Sequence, residues 1–148
     1  MIPAPSISRA ARTAVGEHAV LHRLLSQVQA AIQPRSGSFS DGPDVVSAGL
    51  DTLRGPLRAH FEEEERAGLF EQIEERSPEQ APVCDRLRRE HASLIRRLDA
   101  LRGTSALDRR LPGWAGDVRA FLSELDGHER RETDLLTRAL DGSTPAAD

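Results

Sequence analysis

The stretch HFEEE at residues 60–64 decides how this chain can fold. His60 and Glu64 stand four residues apart, so a helix projects both side chains from one face, one turn apart. That arrangement lets one helix offer an imidazole nitrogen and a carboxylate oxygen to the same metal ion. The spacing returns in HERRE, at His128 and Glu132. Either pair alone is weak evidence, because charged helices produce this spacing by accident.

The composition suits a soluble protein made of amphipathic helices. Of its 148 residues, 38% are hydrophobic and 30% are charged, which is enough for one domain with a sizeable core. The formal net charge of −4 argues against a nucleic-acid-binding surface. No apolar run has the length of a membrane span, and the N-terminus lacks the pattern of a signal peptide. The single cysteine, Cys84, fits a reducing compartment, so the sequence predicts a cytoplasmic protein.

Four segments carry apolar residues at helical spacing, and no segment alternates as a strand would. They cover about residues 7–32, 44–67, 78–102 and 117–141. A further helical turn is expected through 69–75. Short connections between such helices are typical of an up-down-up-down antiparallel four-helix bundle. We therefore predict an all-α single domain over 1–148, with the bundle at about 8–141 and a loose tail at each end.

Local signals refine these helices. Pro56 predicts a kink one turn before His60. The stretch SPEQ at 77–80 has the form of a capping box for the third helix, although Pro82 also allows a later start. Trp114, in a loop predicted at 103–116, is expected to cover one end of the core.

All five histidines fall in the apolar stripes, together with two glutamates. These residues are His18, His22, His60, Glu64, His91, His128 and Glu132. Carboxylates are rarely buried without a partner, because removing their charge from water costs several kcal/mol. A bound cation would stabilise buried carboxylates and neutral imidazoles at once.

A weak internal repeat sorts the candidates. The stretch EHAVL at 17–21 resembles EHASL at 90–94, and each is followed by one HxxxE pair. The repeat aligns His18 with His91 but His22 with Ile95. The predicted ligands are therefore His18, His60, Glu64, His91, His128 and Glu132. His22 is an additional candidate, for which a place beside the ligands or in the core is favoured over ligation.

These motifs resemble the hemerythrin-like family, also called the HHE cation-binding domain. The resemblance covers about residues 8–140 and is carried by the EH of the first and third helices, HFEEEE in the second and HERRE in the fourth. It implies a four-helix bundle with two non-haem iron ions bridged by an oxo or hydroxo group and by two carboxylates. Oxygen-carrying hemerythrins have a histidine where Ile95 stands and an aspartate at a longer spacing on the last helix. Six protein ligands then leave one open position on each iron.

The resemblance implies that the protein binds or senses O2, NO or peroxide, with that small molecule as its partner. Alternatives are a di-iron peroxidase or oxidase, an iron-donating or iron–sulfur repair factor, or a bundle that holds another cation for stability. Manganese or zinc fits the ligand set less well than iron. The expected partners exclude nucleic acid and membrane, and the expected assembly is a monomer or a weak homo-oligomer. A ferritin-like bundle is disfavoured because no Glu-x-x-His motif occurs.

Other prominent residues receive structural interpretations. Cys84 lies two turns before His91 on the same face and is interpreted as a buried structural thiol. Glu62, Glu63 and Glu65 lack the four-residue spacing and are interpreted as a solvated flank.

Overall fold

The computed structural model describes residues 19–31 and 42–141, and every regular element in these ranges is helical. The long helices are α1 (19–31), α2 (Pro43–Arg66), α4 (Ala81–Arg102) and α5 (Pro112–Asp141), with a short α3 (Leu69–Arg76) and 3-10 turns at Pro78–Gln80 and Asp108–Arg110. The prediction of an all-helical chain is confirmed for these residues. The start of the first predicted helix, including His18, and both predicted tails lie outside them. None of the described helices has the length and apolar character needed to span a bilayer.

The second predicted helix and the further turn predicted after it form two separate helices. Helix α2 begins at Pro43 and continues through Pro56, so the proline does not end it. The helix ends before Gly68, whose φ of 69° is left-handed and therefore favours glycine. The further turn expected after this point is helix α3.

One predicted boundary is wrong, and for the third helix the later of the two predicted starts is confirmed. Ser77 makes no side-chain capping hydrogen bond; a 3-10 turn follows it, and α4 begins at Ala81 with Pro82 in its first turn. Helix α5 begins at Pro112, so the loop predicted at 103–116 is too long. Proline suits a first helical position because its φ is already helical and its missing N–H would have had no partner there.

Trp114 consequently lies in the first turn of α5 and still covers one end of the core, as predicted. Its side chain is 5% exposed, and its Nε1 donates a hydrogen bond to the carbonyl of Leu101 at 3.2 Å. This bond satisfies one of the last carbonyl groups of α4, which have no partner within their own helix.

Ion pairs show that α4 runs antiparallel to both α2 and α5. In each helix pair, the residue numbers of the partners rise in opposite directions: Asp51–Arg102, Arg54–Asp99, Arg97–Glu124 and Glu90–Arg131. These pairs are at least partly exposed, so they contribute mainly to alignment and little to stability.

The core consists of two apolar clusters. The larger is built by α1, α2, α4 and α5, and on the last three it reaches Phe61, Leu94 and Leu125. The smaller joins α3 to α4 and α5 through Leu69, Phe70, Ile73, Cys84, Leu87, Leu135 and Leu136. A polar layer lies between them, and α3 packs beyond that layer. Helix α3 therefore closes one end of the described bundle.

Cys84 is fully buried in the smaller cluster, and burial raises the pKa of its thiol to about 11. We expect the folded protein to resist a disulfide thiol reagent at pH 8, because the attacking species is an accessible thiolate. Reaction should release one equivalent of reporter only after denaturation in urea. Modification of the folded protein at the rate of a free thiol would show that the smaller cluster does not protect Cys84.

Candidate metal centre

The polar layer between the two clusters contains five of the six predicted ligands. His60 and Glu64 come from α2, His91 from α4, and His128 and Glu132 from α5. All five are buried, with exposed fractions between 0% and 4%. The apolar stripes of α2, α4 and α5 turn these positions inward, since residues four apart share a helix face. The sixth predicted ligand, His18, lies outside the described residues.

Each of the two carboxylates faces imidazoles from different helices. Glu132 places Oε2 3.2 Å from His128 Nε2 and 3.9 Å from His91 Nε2, while its Oε1 is 3.6 Å from His60 Nε2. Glu64 contacts His60 Nε2 through Oε1 and places Oε2 3.2 Å from His91 Nε2. Each carboxylate therefore directs its two oxygens at imidazole nitrogens of more than one helix.

The potential ligands form two overlapping triads. One consists of His60, Glu64 and Glu132, and the other of His91, His128 and Glu132; in each, one donor atom per residue lies within 4.8 Å of the others. Ligands about 2 Å from a shared ion have comparable separations. Glu132 belongs to both triads, so its carboxylate joins them into one continuous polar cluster.

Carboxylates behind two of the histidines set the orientation of their rings. His128 Nδ1 lies 3.1 Å from Glu90 Oε1, and His91 Nδ1 lies 3.2 Å from Glu65 Oε1. A carboxylate accepts a hydrogen bond, so Nδ1 of each ring donates and Nε2 faces the interior of the layer.

Within the described part of the chain, His91 Nε2 and His128 Nε2 are buried and make no hydrogen bond. They instead face carboxylate oxygens, whose negative charge calls for a positive charge beside them, either a proton on the ring or a bound cation. Burial lowers the pKa of His91, but Glu132 and Glu64 raise it by more, to about 9. The same negative potential attracts a metal ion, so the donor set fits one.

The profile of the hemerythrin HHE cation-binding domain matches residues 9–140. The chain belongs to this family. Comparison with curated proteins and with solved structures finds no match. Family membership and the buried triads make this layer the candidate cation site of the chain.

Two glutamates that orient the histidines of the HHE domain were not predicted as site residues. Glu90 was seen only as part of the repeated EH pair. Glu65 is half exposed, which agrees with its interpretation as solvated flank, but its carboxylate also accepts a hydrogen bond from His91 Nδ1. Both bonds cross between helices, from α2 to α4 and from α4 to α5. The spacing of residues along one helix therefore could not indicate these two hydrogen bonds.

Of the two glutamates that contact histidine Nδ1 atoms, Glu90 behind His128 is held more firmly than Glu65 behind His91. Arg131 NH2 lies 2.9 Å from Oε1 and 2.7 Å from Oε2 of Glu90. Burial raises the pKa of Glu90, but Arg131 and His128 together hold it below its usual value. The anionic form of Glu90 is thus maintained, and its hydrogen bond to His128 is charge-assisted.

Phe61 fixes the ring planes in the layer. Its ring is stacked on His91, with centroids 4.0 Å apart and planes 9° apart, and it meets His128 edge-on at 5.3 Å. Phe61 is 3% exposed and belongs to the larger cluster, so core packing limits rotation of both imidazoles.

The structure places His22 on the exposed side of α1, where it lines a cavity together with Glu129 of α5. Glu129 was not predicted as a site residue. Its Oε2 is 4.0 Å from His60 Nε2, and its side chain is 13% exposed. A third carboxylate therefore lies at the edge of the layer.

We expect Arg131→Gln to lower the metal affinity of the HHE domain about tenfold, because it removes the group that holds Glu90 against His128. Titration against a metal-binding dye measures the affinity. Arg130→Gln is the matched control, since the neighbouring Arg130 is exposed and pairs only with Asp126 at 3.0 Å among the described residues. Equal affinities for the two variants would show that the Arg131–Glu90 pair does not support the centre.

Proposed function

We propose that this HHE domain is a non-haem di-iron protein that reversibly binds or senses O2, NO or peroxide. The proposal rests on the pair of buried triads that share Glu132. A single cation would need only one triad. Two triads with a common carboxylate suit two cations held a short distance apart.

The proposed ligands are four imidazoles and two carboxylates: His18, His60, Glu64, His91, His128 and Glu132. Oxygen and imidazole donors suit iron, whereas a structural zinc site would use four ligands in a small tetrahedron. When bound, iron supplies a reversible change of oxidation state and an open position for a small molecule. The residues of the chain hold the ions, orient the imidazoles through Nδ1 and exclude bulk water.

The surroundings favour reversible binding of a small molecule. Apolar clusters flank the layer on both sides, and among the described residues no ligand side chain is more than 4% exposed. A dry environment strengthens the attraction between cation and carboxylate, so the ions stay bound while a small molecule enters and leaves. It also limits the water and protons available for side reactions.

We also propose the helix topology, the domain extent, the cellular location and the assembly state of the protein. The four long helices form an up-down-up-down antiparallel bundle, and residues 1–148 act as one domain. Helix α4 supports this arrangement, because its ion pairs run antiparallel to both α2 and α5. The proposed location is the cytoplasm, supported by one buried, unpaired cysteine, and the proposed state is a monomer or a weak homo-oligomer.

Metal analysis with an optical spectrum tests the assignment. Protein loaded with ferrous iron should hold about two iron ions per chain, and exposure to air should produce near-ultraviolet absorption of oxo-bridged iron. Glu64→Ala should lose bound iron, because it removes a carboxylate shared between two helices. A single zinc ion, no metal, or unchanged iron in Glu64→Ala would contradict the di-iron assignment. Sustained turnover of peroxide would favour an enzyme over a reversible binder.

His22→Leu should leave two iron ions bound, because His22 is exposed and faces a cavity in the described structure. Iron content and the optical spectrum should match those of the unmodified protein. His91→Leu provides the comparison, since it removes a buried imidazole of one triad. Loss of one iron ion in His22→Leu would show that His22 is a ligand.

A further inference from the structure

A short helix covers one end of the candidate metal centre. Helix α3 has eight residues, and an isolated helix of that length is not stable in water. Its order therefore depends on contacts with the rest of the protein. Leu69, Phe70 and Ile73 supply one set of contacts, because they are at most 2% exposed and lie in the smaller apolar cluster.

Phe70 brings α3 into direct contact with the centre. Its ring centroid lies 5.7 Å from that of His91, and the two ring planes are inclined at 51°. His91 is one of the buried imidazoles of the triads. Movement of α3 away from α4 therefore removes one aromatic wall of a candidate ligand.

Arg88 joins α4 to α3 through its guanidinium group. Its NH1 lies 2.6 Å from Oε1 of Glu74, and its NH2 lies 3.2 Å from Oε1 of Glu71. Its guanidinium carbon also lies 5.3 Å from the centroid of the Phe70 ring. Asp85, in the preceding turn of α4, contacts NH1 at 2.9 Å and orients the group. A planar guanidinium shared among several carboxylates and a ring holds its partners better than a single surface ion pair does.

The chain leaves the regular helical conformation at both ends of α3. Gly68, before the helix, has a left-handed φ of 69°, and Ser77, after it, has φ −139° and ψ 78°. Such interruptions absorb changes in backbone angle, so α3 can move as a unit without unwinding α2 or α4. The contacts that resist this movement are those of Arg88 and of the smaller cluster.

Entry of a cation into the centre requires movement of the protein. The five described candidate ligands are at most 4% exposed, so their donor atoms are shielded from a hydrated ion. Local opening draws on the least stable elements of a fold. Helix α3 is the shortest described α-helix, whereas α2, α4 and α5 have 24, 22 and 30 residues. It also combines a wall of the centre with an irregular residue at each end.

We propose that Arg88 holds α3 closed over the candidate metal centre, and that opening of α3 is the step by which divalent cations enter and leave. This inference rests on the proposed function only in requiring a cation at the centre, and it adds a residue that regulates the occupancy of that centre. Among the described residues, Arg88 contacts α3 and not the candidate ligands. It therefore acts by positioning Phe70 and the helix that carries it.

Cys84 reports opening of α3 without any metal. Its thiol is fully buried in the same cluster as Phe70 and Ile73. Arg88→Met keeps an unbranched apolar side chain but removes the ion pairs, and it should raise about tenfold the rate at which a disulfide reagent modifies the folded protein. The Arg88 guanidinium lowers the pKa of the Cys84 thiol, so its removal alone would slow this reaction. A faster reaction therefore measures exposure of the thiol.

Two further variants make this test specific to Arg88. Arg88→Lys keeps a positive charge without the planar fork and should accelerate the reaction only about threefold. Asp99→Asn removes an ion pair between α4 and α2, at 2.6 Å to Arg54, and should leave the reaction unchanged. The proposal is overturned if Arg88→Met reacts at the unmodified rate. It is also overturned if the rates of all variants simply follow the free energy of global unfolding in urea, because unfolding of the whole protein would then expose Cys84.

Cation exchange tests the second part of the proposal. Cobalt(II) is the probe, because it accepts oxygen and imidazole donors and its visible absorption follows binding. Uptake is followed by stopped-flow absorbance, and release is followed after addition of excess chelator. Arg88→Met should raise both rates about tenfold and leave Kd unchanged, because a lower barrier to opening speeds entry and exit equally. Faster release alone, with weaker binding, would show that Arg88 supports the ligand geometry and would overturn the role of α3 as a cover.

These outcomes separate the inference from the proposed function. Protein that takes up cobalt(II) but no iron contradicts the di-iron assignment, while the Arg88→Met rates still decide the role of α3. Protein that binds iron as proposed, with equal exchange and thiol rates in Arg88→Met and the unmodified form, refutes the role of Arg88 alone. Protein that takes up neither metal contradicts both, because no cation would then pass α3.

Discussion

The burial of two carboxylates determines how the rest of this protein is arranged. Glu64 and Glu132 are 3% and 0% exposed and lie between two apolar clusters. Removing two such charges from water costs several kcal/mol each unless opposite charge lies beside them. A proton on His91, whose pKa these carboxylates raise to about 9, is one source of that charge, and a bound cation in place of the proton is another. Membership of the HHE cation-binding family agrees with the second source.

The fold surrounds the centre with packing that keeps its donor atoms in place. On one side, Phe61 belongs to the larger cluster and stacks on His91. On the other side, α3 brings Phe70 against the same ring, with centroids 5.7 Å apart. The imidazole is therefore held by aromatic contacts from both apolar clusters. Such packing prepares the donor geometry before any ion binds, which reduces the ordering cost of binding.

Helix α5 gives the two sides of the centre different properties. Behind His128, Glu90 and Arg131 form a charged hydrogen-bonded support that fixes the ring. Beside His60, Glu129 lies at the boundary between the buried layer and a cavity. The weak internal repeat in the sequence suggests two equivalent halves. Side-chain partners on neighbouring helices make them differ, and this difference gives the centre a side supported by an ion pair and a side where Glu129 also lines a cavity.

The sequence by itself determined the helical class and the burial of five candidate site residues, because helical periodicity places His60 with Glu64, and His128 with Glu132, on inward faces. Helix ends were predicted less well, since proline allows several starts, as at Pro112. Only the tertiary structure decided that Glu65 and Glu90 orient the histidines and that Glu129 faces both the centre and a cavity. The physical reason is that these contacts join different helices, whereas spacing along the chain reports only the faces within one helix.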